Sequence, residues 1–425
     1  MGAAILIIAV TVMIVIGVPV AVSMALGSVV FILINGTPTA IIMHQMVSGI
    51  DSFPLLAIPF FILAGNFMNS SAITDRIFTF ASHLFAFARG GICYVNIMAS
   101  VIFAGMSGAA VADAGGLGAI EIKAMRDRGY GDRLSVGLTA ASSIIGPLIP
   151  PSLPMIIFGF VGDVSIGKLF VAGLIPGILM AISLAIMVRW KAKAMNLPRD
   201  GNFSLRVVGK SFNKAFLSLL TPVIIVGGIL GGIFTPTEAA IAAAAYALVL
   251  GMFIYRTLSV SDIWSVSKES AKITASILFI VSAASLFAWI ITTERVAHGF
   301  SEALFGLTDN TIIILLLINL LLLIVGCFLD AIAAITILTP ILLPVAVAAG
   351  VDPVQFGVIM VLNLMIGLLS PPLGIVLYVL STVSGVSMKD TIMGTAPFLI
   401  PLIATLGIVT FVPAASLWLP RVLGF

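Results

Sequence analysis

Residues 142–152 read Ser142-Ser143-Ile144-Ile145-Gly146-Pro147-Leu148-Ile149-Pro150-Pro151-Ser152, and one glycine with three prolines here interrupts an otherwise apolar segment. Glycine permits tight backbone geometry, while proline removes an amide donor and breaks a helix. The freed carbonyls then lie beside serine hydroxyls, near the middle of a stretch long enough to enter a bilayer. The pattern returns 221 residues later as Asn363-Leu364-Met365-Ile366-Gly367-Leu368-Leu369-Ser370-Pro371-Pro372-Leu373-Gly374. At that same offset Gly105 falls on Gly326, Gly129 on Gly350, Lys168 on Lys389, Gly173 on Gly394 and Pro176 on Pro397. Rare residue types that co-align without a gap mark an internal repeat. Asn363 opposite Ser142 keeps a polar side chain at the same depth.

Working outward, the chain has 425 residues, 61% apolar and 9% charged, with a mean hydropathy of +1.27. Soluble domains carry roughly 25% charged residues, so most of this surface must face lipid or other buried helices. Spans are then helices or a closed barrel. Barrel strands alternate apolar and polar residues, whereas runs such as Ile312–Val325 are continuous; the expected class is an all-α polytopic membrane protein. A net charge of +3 is too small to suggest nucleic acid. Cys93 and Cys327 both lie in apolar runs, which argues against a disulfide framework. Met1–Ile16 lacks a charged leader region and a small-residue cleavage site, and reads as a mature span.

A spanning helix needs about 20 apolar residues. Candidate crossings are 3–16, 20–34, 54–69, 134–162, 169–190, 216–234, 238–256, 273–292, 357–384 and 393–418; the first two could be one tilted helix, but Gly17 and Pro19 favour a break. Segments 72–88 and 259–272 mix charge with apolar residues and read as interfacial. Stretch 189–214 holds Arg189, Lys191, Lys193, Arg199, Arg206, Lys210 and Lys214 against Asp200. It reads as a basic cytoplasmic loop joining two halves, serving orientation and lipid contact. Residues 121–133 hold Lys123, Arg126, Arg128 and Arg133, whereas the matching 342–354 hold no basic residue. By the positive-inside rule the first stretch is cytoplasmic and its counterpart outside, which makes the repeat inverted, a common secondary-transporter plan. Ten crossings with 189–214 inside place both termini outside.

Runs 91–125 and 312–345 have both ends on one side by their flanking charges, and read as two re-entrant helical hairpins. Non-helical backbone at that depth is tolerated where it is buried in protein or lines a wet cavity. The expected organisation is 1–90 as scaffold of the first repeat, 91–188 as its transport part (hairpin 91–125, broken helix 134–162), then the loop 189–214. A second scaffold part follows at 215–310 and a second transport part at 311–425 (hairpin 312–345, broken helix 357–384).

Freed carbonyls and hydroxyls at the two breaks suit a hard cation such as sodium, and half-helix N-termini suit an anion; the bland alternative is a pair of kinked helices. Asp330 is the sole acid between Asp309 and Asp352, and a buried carboxylate in a membrane normally has a partner or a task; helix capping is its alternative. Asp113 reads as a cap of the arm after the first hairpin tip. Glu238, in Thr235-Pro236-Thr237-Glu238, reads as a helix start. No HExxH, GxSxG or GxxxxGK[ST] occurs, and His44, His83 and His298 sit in separate segments. An enzyme is disfavoured, no organic cofactor is expected, and an ion gradient is the expected energy source.

The pairing of Gly105-Met106-Ser107-Gly108-Ala109-Ala110 with Gly146–Ser152, and of Phe328-Leu329-Asp330 with Ser370–Gly374, resembles the large membrane subunit of TRAP (tripartite ATP-independent periplasmic) transporters. The resemblance covers essentially the whole chain, including Phe234-Thr235-Pro236-Thr237-Glu238-Ala239-Ala240. It implies a sodium-coupled importer of organic acids in the bacterial inner membrane, belonging to the ion-transporter superfamily and working by an elevator mechanism. Hairpins and broken helices would form a mobile domain sliding against a scaffold. The implied partners are a small four-helix membrane subunit and a periplasmic substrate-binding protein. Carried over residue by residue, one sodium site implies Ser107, Gly108, Ser143, Gly146 and Pro150, and a second implies Gly326, Asp330, Gly367 and Ser370. Substrate is implied near Ala109, Asp330 and Pro371; sialic acid and C4-dicarboxylates are the main classes. A self-sufficient citrate or dicarboxylate carrier of the same superfamily is the alternative.

Overall fold

The computed structural model describes residues 2–71, 73–199, 201, 204–308 and 310–424, and of residues 2–4, 106 and 107 the backbone alone. The described chain is helical, with a bridge between Arg89 and Arg199 as its extended pairing. The first half runs α1 (Gly2–Val15), α2 (Val20–Ile34), α3 (Ala40–Ser48), a 3-10 turn (Phe53–Leu56), α4 (Ala57–Ser70), α5 (Ile73–Phe85), α6 (Gly91–Ser107), α7 (Ala110–Gly115), α8 (Leu117–Asp127), α9 (Asp132–Ser143), α10 (Leu153–Val161) and α11 (Ile166–Ala194). The second runs α12 (Leu205–Leu230), α13 (Pro236–Val249) with a π turn (Leu250–Ile254), α14 (Val260–Thr293), α15 (Val296–Leu307), α16 (Thr311–Phe328), α17 (Ala331–Ala348), α18 (Pro353–Gly367), α19 (Ile375–Ser384), α20 (Met388–Phe411) and α21 (Ala414–Val422).

Among the described residues, eight helical segments are long and apolar enough to cross a membrane, including α11, α12, α14, α16, α17 and α20. Their caps are legible in the sequence. Thr235 and Glu238 form a capping box at α13 with Pro236 in its first turn, as Glu238 led us to expect. Ser259 and Asp262 form another at α14, and Asp352 accepts the Val354 and Gln355 amides ahead of Pro353 at α18.

Helix boundaries follow the 221-residue offset: α6 matches α16, α9 matches α18, α10 matches α19 and α11 matches α20. Packing is reciprocal as well. The arm after the first hairpin tip, α7, lies on α19, and its counterpart α17 lies on α10. A methyl group at Gly118 would meet Leu380 Cδ2 at 3.1 Å, and one at Gly162 would meet Leu343 Cδ2 at 2.9 Å.

Three expectations change. The polar stretch 189–214 is mostly helix, since α11 runs on to Ala194 and α12 begins at Leu205. Lysine and arginine are good helix formers, so charge ended the apolar run without ending the helix. Segment 259–272 is not a separate interfacial helix but the start of the 34-residue α14, about 51 Å long at 1.5 Å per residue and longer than the roughly 30 Å hydrocarbon core. Asp113 does not cap its arm: Ala109 holds the cap position of α7, and Asp113 sits inside the helix, 2% exposed.

Candidate binding site at two interrupted helices

Neither hairpin continues as helix through its tip. α6 gives way at Gly108, whose φ is +60°, and at the extended Ala109. α16 gives way at the extended Leu329 and Asp330. An interrupted helix accompanies each hairpin: residues 144–152 separate α9 from α10, and residues 368–374 separate α18 from α19. Both Pro-Pro bonds, Pro150-Pro151 and Pro371-Pro372, are cis.

The first tip is joined to its break by backbone. Leu153 N–H donates to Gly108 O at 3.3 Å, and a Cβ on Gly108 would collide with the Pro151 carbonyl. Glycine is required there twice over, for its positive φ and for the missing side chain. Gly105 lies 3.7 Å from the Pro150 carbonyl by the same measure. Ser152 accepts from Met155 N–H, capping α10, and donates to Pro147 O. Ser142 donates to Asn96 Oδ1 at 2.7 Å, and Asn96 donates to Thr139 Oγ1 at 2.7 Å, which fastens α9 to α6. Ser143 is buried and donates to Ala140 O at 2.9 Å. Of the first nominated set, Gly108, Ser143, Gly146 and Pro150 are therefore buried about one break. The Ser107 side chain lies outside the described residues.

Sequence reasoning missed two acids in this region. The Asp113 carboxylate lies against Gly146, where a Cβ would strike its Oδ2. Glu121 on α8 is 1% exposed; Ser100 hydrogen-bonds it and Asp113 acts on it electrostatically. Its Oε1 has no hydrogen-bond partner among the described residues. Buried carboxylates in a membrane protein need a counter-charge or a proton, and two of them accompany this break. The signal available in the sequence was the rarity of acids in an apolar hairpin.

The second set is built differently. The backbones of α16 and α18 cross at Gly326 and Gly367: a Cβ on Gly367 would stand 2.6 Å from the Gly326 Cα. Packing alone demands these two glycines. Asn363 donates to Asn319 Oδ1 at 2.6 Å, the counterpart of the Ser142–Asn96 link. Asp330 caps α17, accepting from Ile332 N–H at 3.0 Å, so its capping alternative is realised, and the residue as a whole is half-buried. Ser370 donates to Ile366 O at 3.2 Å and acts on the nearby Cys327 thiol, which itself donates to Leu323 O at 3.1 Å. Of the residues expected near substrate, Ala109 and Asp330 are half-buried and Pro371 is exposed. A separate cavity of about 480 Å³, lined by Ser52, Asp163, Thr235 and Thr237 among others, includes none of the nominated residues.

Two helix pairs broken at polar, glycine-rich joints inside an apolar, multi-pass helical chain define a membrane transporter. Comparison with known proteins gives the family: residues 7–415 match the model of the tripartite ATP-independent periplasmic transporter, DctM component, and the chain belongs to that family. It is 48% identical over 409 residues to the sialic acid TRAP transporter large permease protein SiaM of Vibrio cholerae, covering 95% of each chain. It is 43% identical over 380 residues to the sialic acid TRAP transporter permease protein SiaT of Haemophilus influenzae, covering 89% of this chain and 62% of that longer one. Among solved structures, MtrF of Neisseria gonorrhoeae, described as illuminating a class of antimetabolite efflux pumps, matches 87% of this chain and 84% of its own with a TM-score of 0.53 and 14% identity, a likeness of fold alone. The chain is thus a transporter permease and not an enzyme.

Proposed function

We propose that this chain imports a small organic acid, sialic acid in the first instance, by sodium symport across the bacterial inner membrane. It would act as the large subunit of three, beside a small four-helix membrane subunit and a periplasmic substrate-binding protein. The observation that carries the substrate is the 48% identity, over 95% of both chains, to a permease named for sialic acid. The sodium reading is supported by two chain breaks that interrupt helical pairing, the first with the buried Asp113 carboxylate against Gly146. The difference in basic residues between 121–133 and 342–354 supports opposite orientation of the two units. On this reading residues 91–188 and 311–425 form the moving part, 1–90 and 215–310 the scaffold, and both termini face the periplasm. Sodium binds about Ser107, Gly108, Ser143, Gly146 and Pro150, joined by Asp113, and about Gly326, Asp330, Gly367 and Ser370. The substrate carboxylate lies between Ala109, Asp330 and Pro371.

The test is uptake of labelled N-acetylneuraminate into proteoliposomes holding both membrane subunits, with the binding protein added outside. Uptake should require an inward sodium gradient and the binding protein. Equal uptake driven by potassium, or by the large chain alone, would overturn the coupling or the dependence respectively; uptake of succinate but not sialic acid would reassign the substrate.

A further inference from the structure

The basic residues at the end of α11 divide into two groups. Lys191 lies over the Phe398 ring, 5.4 Å from its centroid, and is half-buried inside the helical assembly. Arg189 and Lys193, one turn apart on another face, line a cavity of about 300 Å³ together with Arg89, Tyr94 and Ala192. Tyr94 feels the Arg189 charge and stacks on Phe85 with ring centroids 6.0 Å apart. The walls are fixed by backbone: Gly90 N–H donates to Pro198 O at 2.9 Å, and Arg89 bridges to Arg199. A methyl group on Gly90 would come within 3.2 Å of Ala192 Cβ and 3.3 Å of Leu197 Cδ1, so the turn between α5 and α6 is clamped to the end of α11. Among the described residues no carboxylate lies within ion-pair distance of Arg89, Arg189, Lys193 or Arg199.

An apolar track leads to this cationic pocket. Ile178, Ile182 and Ile186 recur every fourth residue along α11, 49%, 51% and 64% exposed, and the row ends at Trp190, 70% exposed. Residues four apart share one helix face, and an indole at the end of such a row belongs at the headgroup level. We propose that this corner binds the phosphate of an anionic phospholipid, with its acyl chain along Ile182 and Ile186 and its headgroup between Arg89, Arg189 and Lys193. The apolar track is what selects a lipid over free phosphate, which would use the cations alone. Basic pockets between membrane helices on the cytoplasmic side hold anionic headgroups in this way.

The experiment places the full-length chain in nanodiscs and follows Trp190 fluorescence, taken as wild type minus Trp190→Phe, with brominated phosphatidylglycerol or brominated phosphatidylcholine at equal bromine content. Phosphatidylglycerol should quench Trp190 preferentially, and native mass spectrometry should show it retained. Substituting Arg89→Gln, Arg189→Gln and Lys193→Gln together should weaken retention about a hundredfold. Substituting Arg206→Gln, Lys210→Gln and Lys214→Gln removes the same charge from α12 and should leave retention within twofold. Equal quenching of the wild type by both lipids overturns the proposal without any variant, and so does equal loss in the two triple variants. If millimolar inorganic phosphate abolishes the lipid preference, the pocket is a free-phosphate site and the lipid assignment falls.

Discussion

From Ile144 to Ser152 the first break is buried at every residue, whereas at the equivalent place Ser370 is half-buried and Pro371, Pro372 and Leu373 are exposed. The same backbone device therefore stands in two different surroundings. In the first repeat the tip glycine lies on the Pro151 carbonyl, Leu153 bonds Gly108, and two acids line the interior. In the second, the tightest contact is the Gly326–Gly367 crossing of α16 and α18, and the proline joint beyond it is open. On the proposed function, cargo enters at the open second joint and the closed first joint, with its acidic wall, holds a dehydrated ion. Local unwinding alone does not distinguish the two. What lies against it does.

The largest expected effect that sharpens this contrast is at Gly367. Gly367→Val drives a side chain into the Gly326 backbone, which cannot rotate away, and should cost about 3 kcal/mol or more, seen as a lower melting temperature in detergent. Gly146→Val meets instead the Asp113 side chain, which can turn aside, so it should melt closer to wild type while losing sodium activation. Equal melting losses in both variants would break the comparison.

Next is Gly108→Ala. The left-handed backbone costs about 1–2 kcal/mol for any other residue, and the Pro151 carbonyl adds a collision. Gly374→Ala shares the φ penalty, at +50°, but meets first the side chain of Leu377, at 2.9 Å. Thermal unfolding should rank Gly108→Ala below Gly374→Ala; the reverse order would mean that the first joint is not the more closed one.

Asn96→Ala and Asn363→Ala each unfasten a broken helix from the first arm of its hairpin, and each should cost about 1–3 kcal/mol by leaving buried polar partners unbonded. A loss in only one of them would show that the fastening is not shared by the two repeats.

The smallest stability effect, and the most informative for function, is at Asp330. Asparagine also caps helices well, so Asp330→Asn should change stability by only a few tenths of a kcal/mol, whereas Asp330→Ala should lose about 1 kcal/mol with the cap. If the carboxylate binds sodium, both variants lose sodium activation of uptake. Unchanged activation in Asp330→Asn removes Asp330 from the site.

Much of this was legible because glycine and proline constrain backbone before any tertiary contact forms. The breaks at Gly146–Ser152 and Gly367–Gly374, the tips near Gly108 and Asp330, the separation of α1 from α2 at Gly17 and Pro19, and the Thr235–Glu238 cap all follow from local chemistry. Asp113 and Glu121 were not legible as a buried pair, since their surroundings come from α6 and α9, whose placement no local pattern encodes. The extent of α11 and α12 was missed because Lys and Arg end hydropathy without ending helix. That Gly326 and Gly367 touch each other, while Gly105 and Gly146 each meet other groups, depends on how the hairpins seat.

On the proposed function, two units of opposite orientation set unwound backbone at bilayer mid-depth, where sodium binds. A cryo-EM map of the assembled transporter in lipid nanodiscs, recorded in sodium and again in potassium, tests it most directly. Both hairpin tips should lie at mid-depth, with sodium-dependent density beside Gly146 and beside Ser370. Tips emerging at the membrane surface, or two breaks empty in sodium, would contradict it.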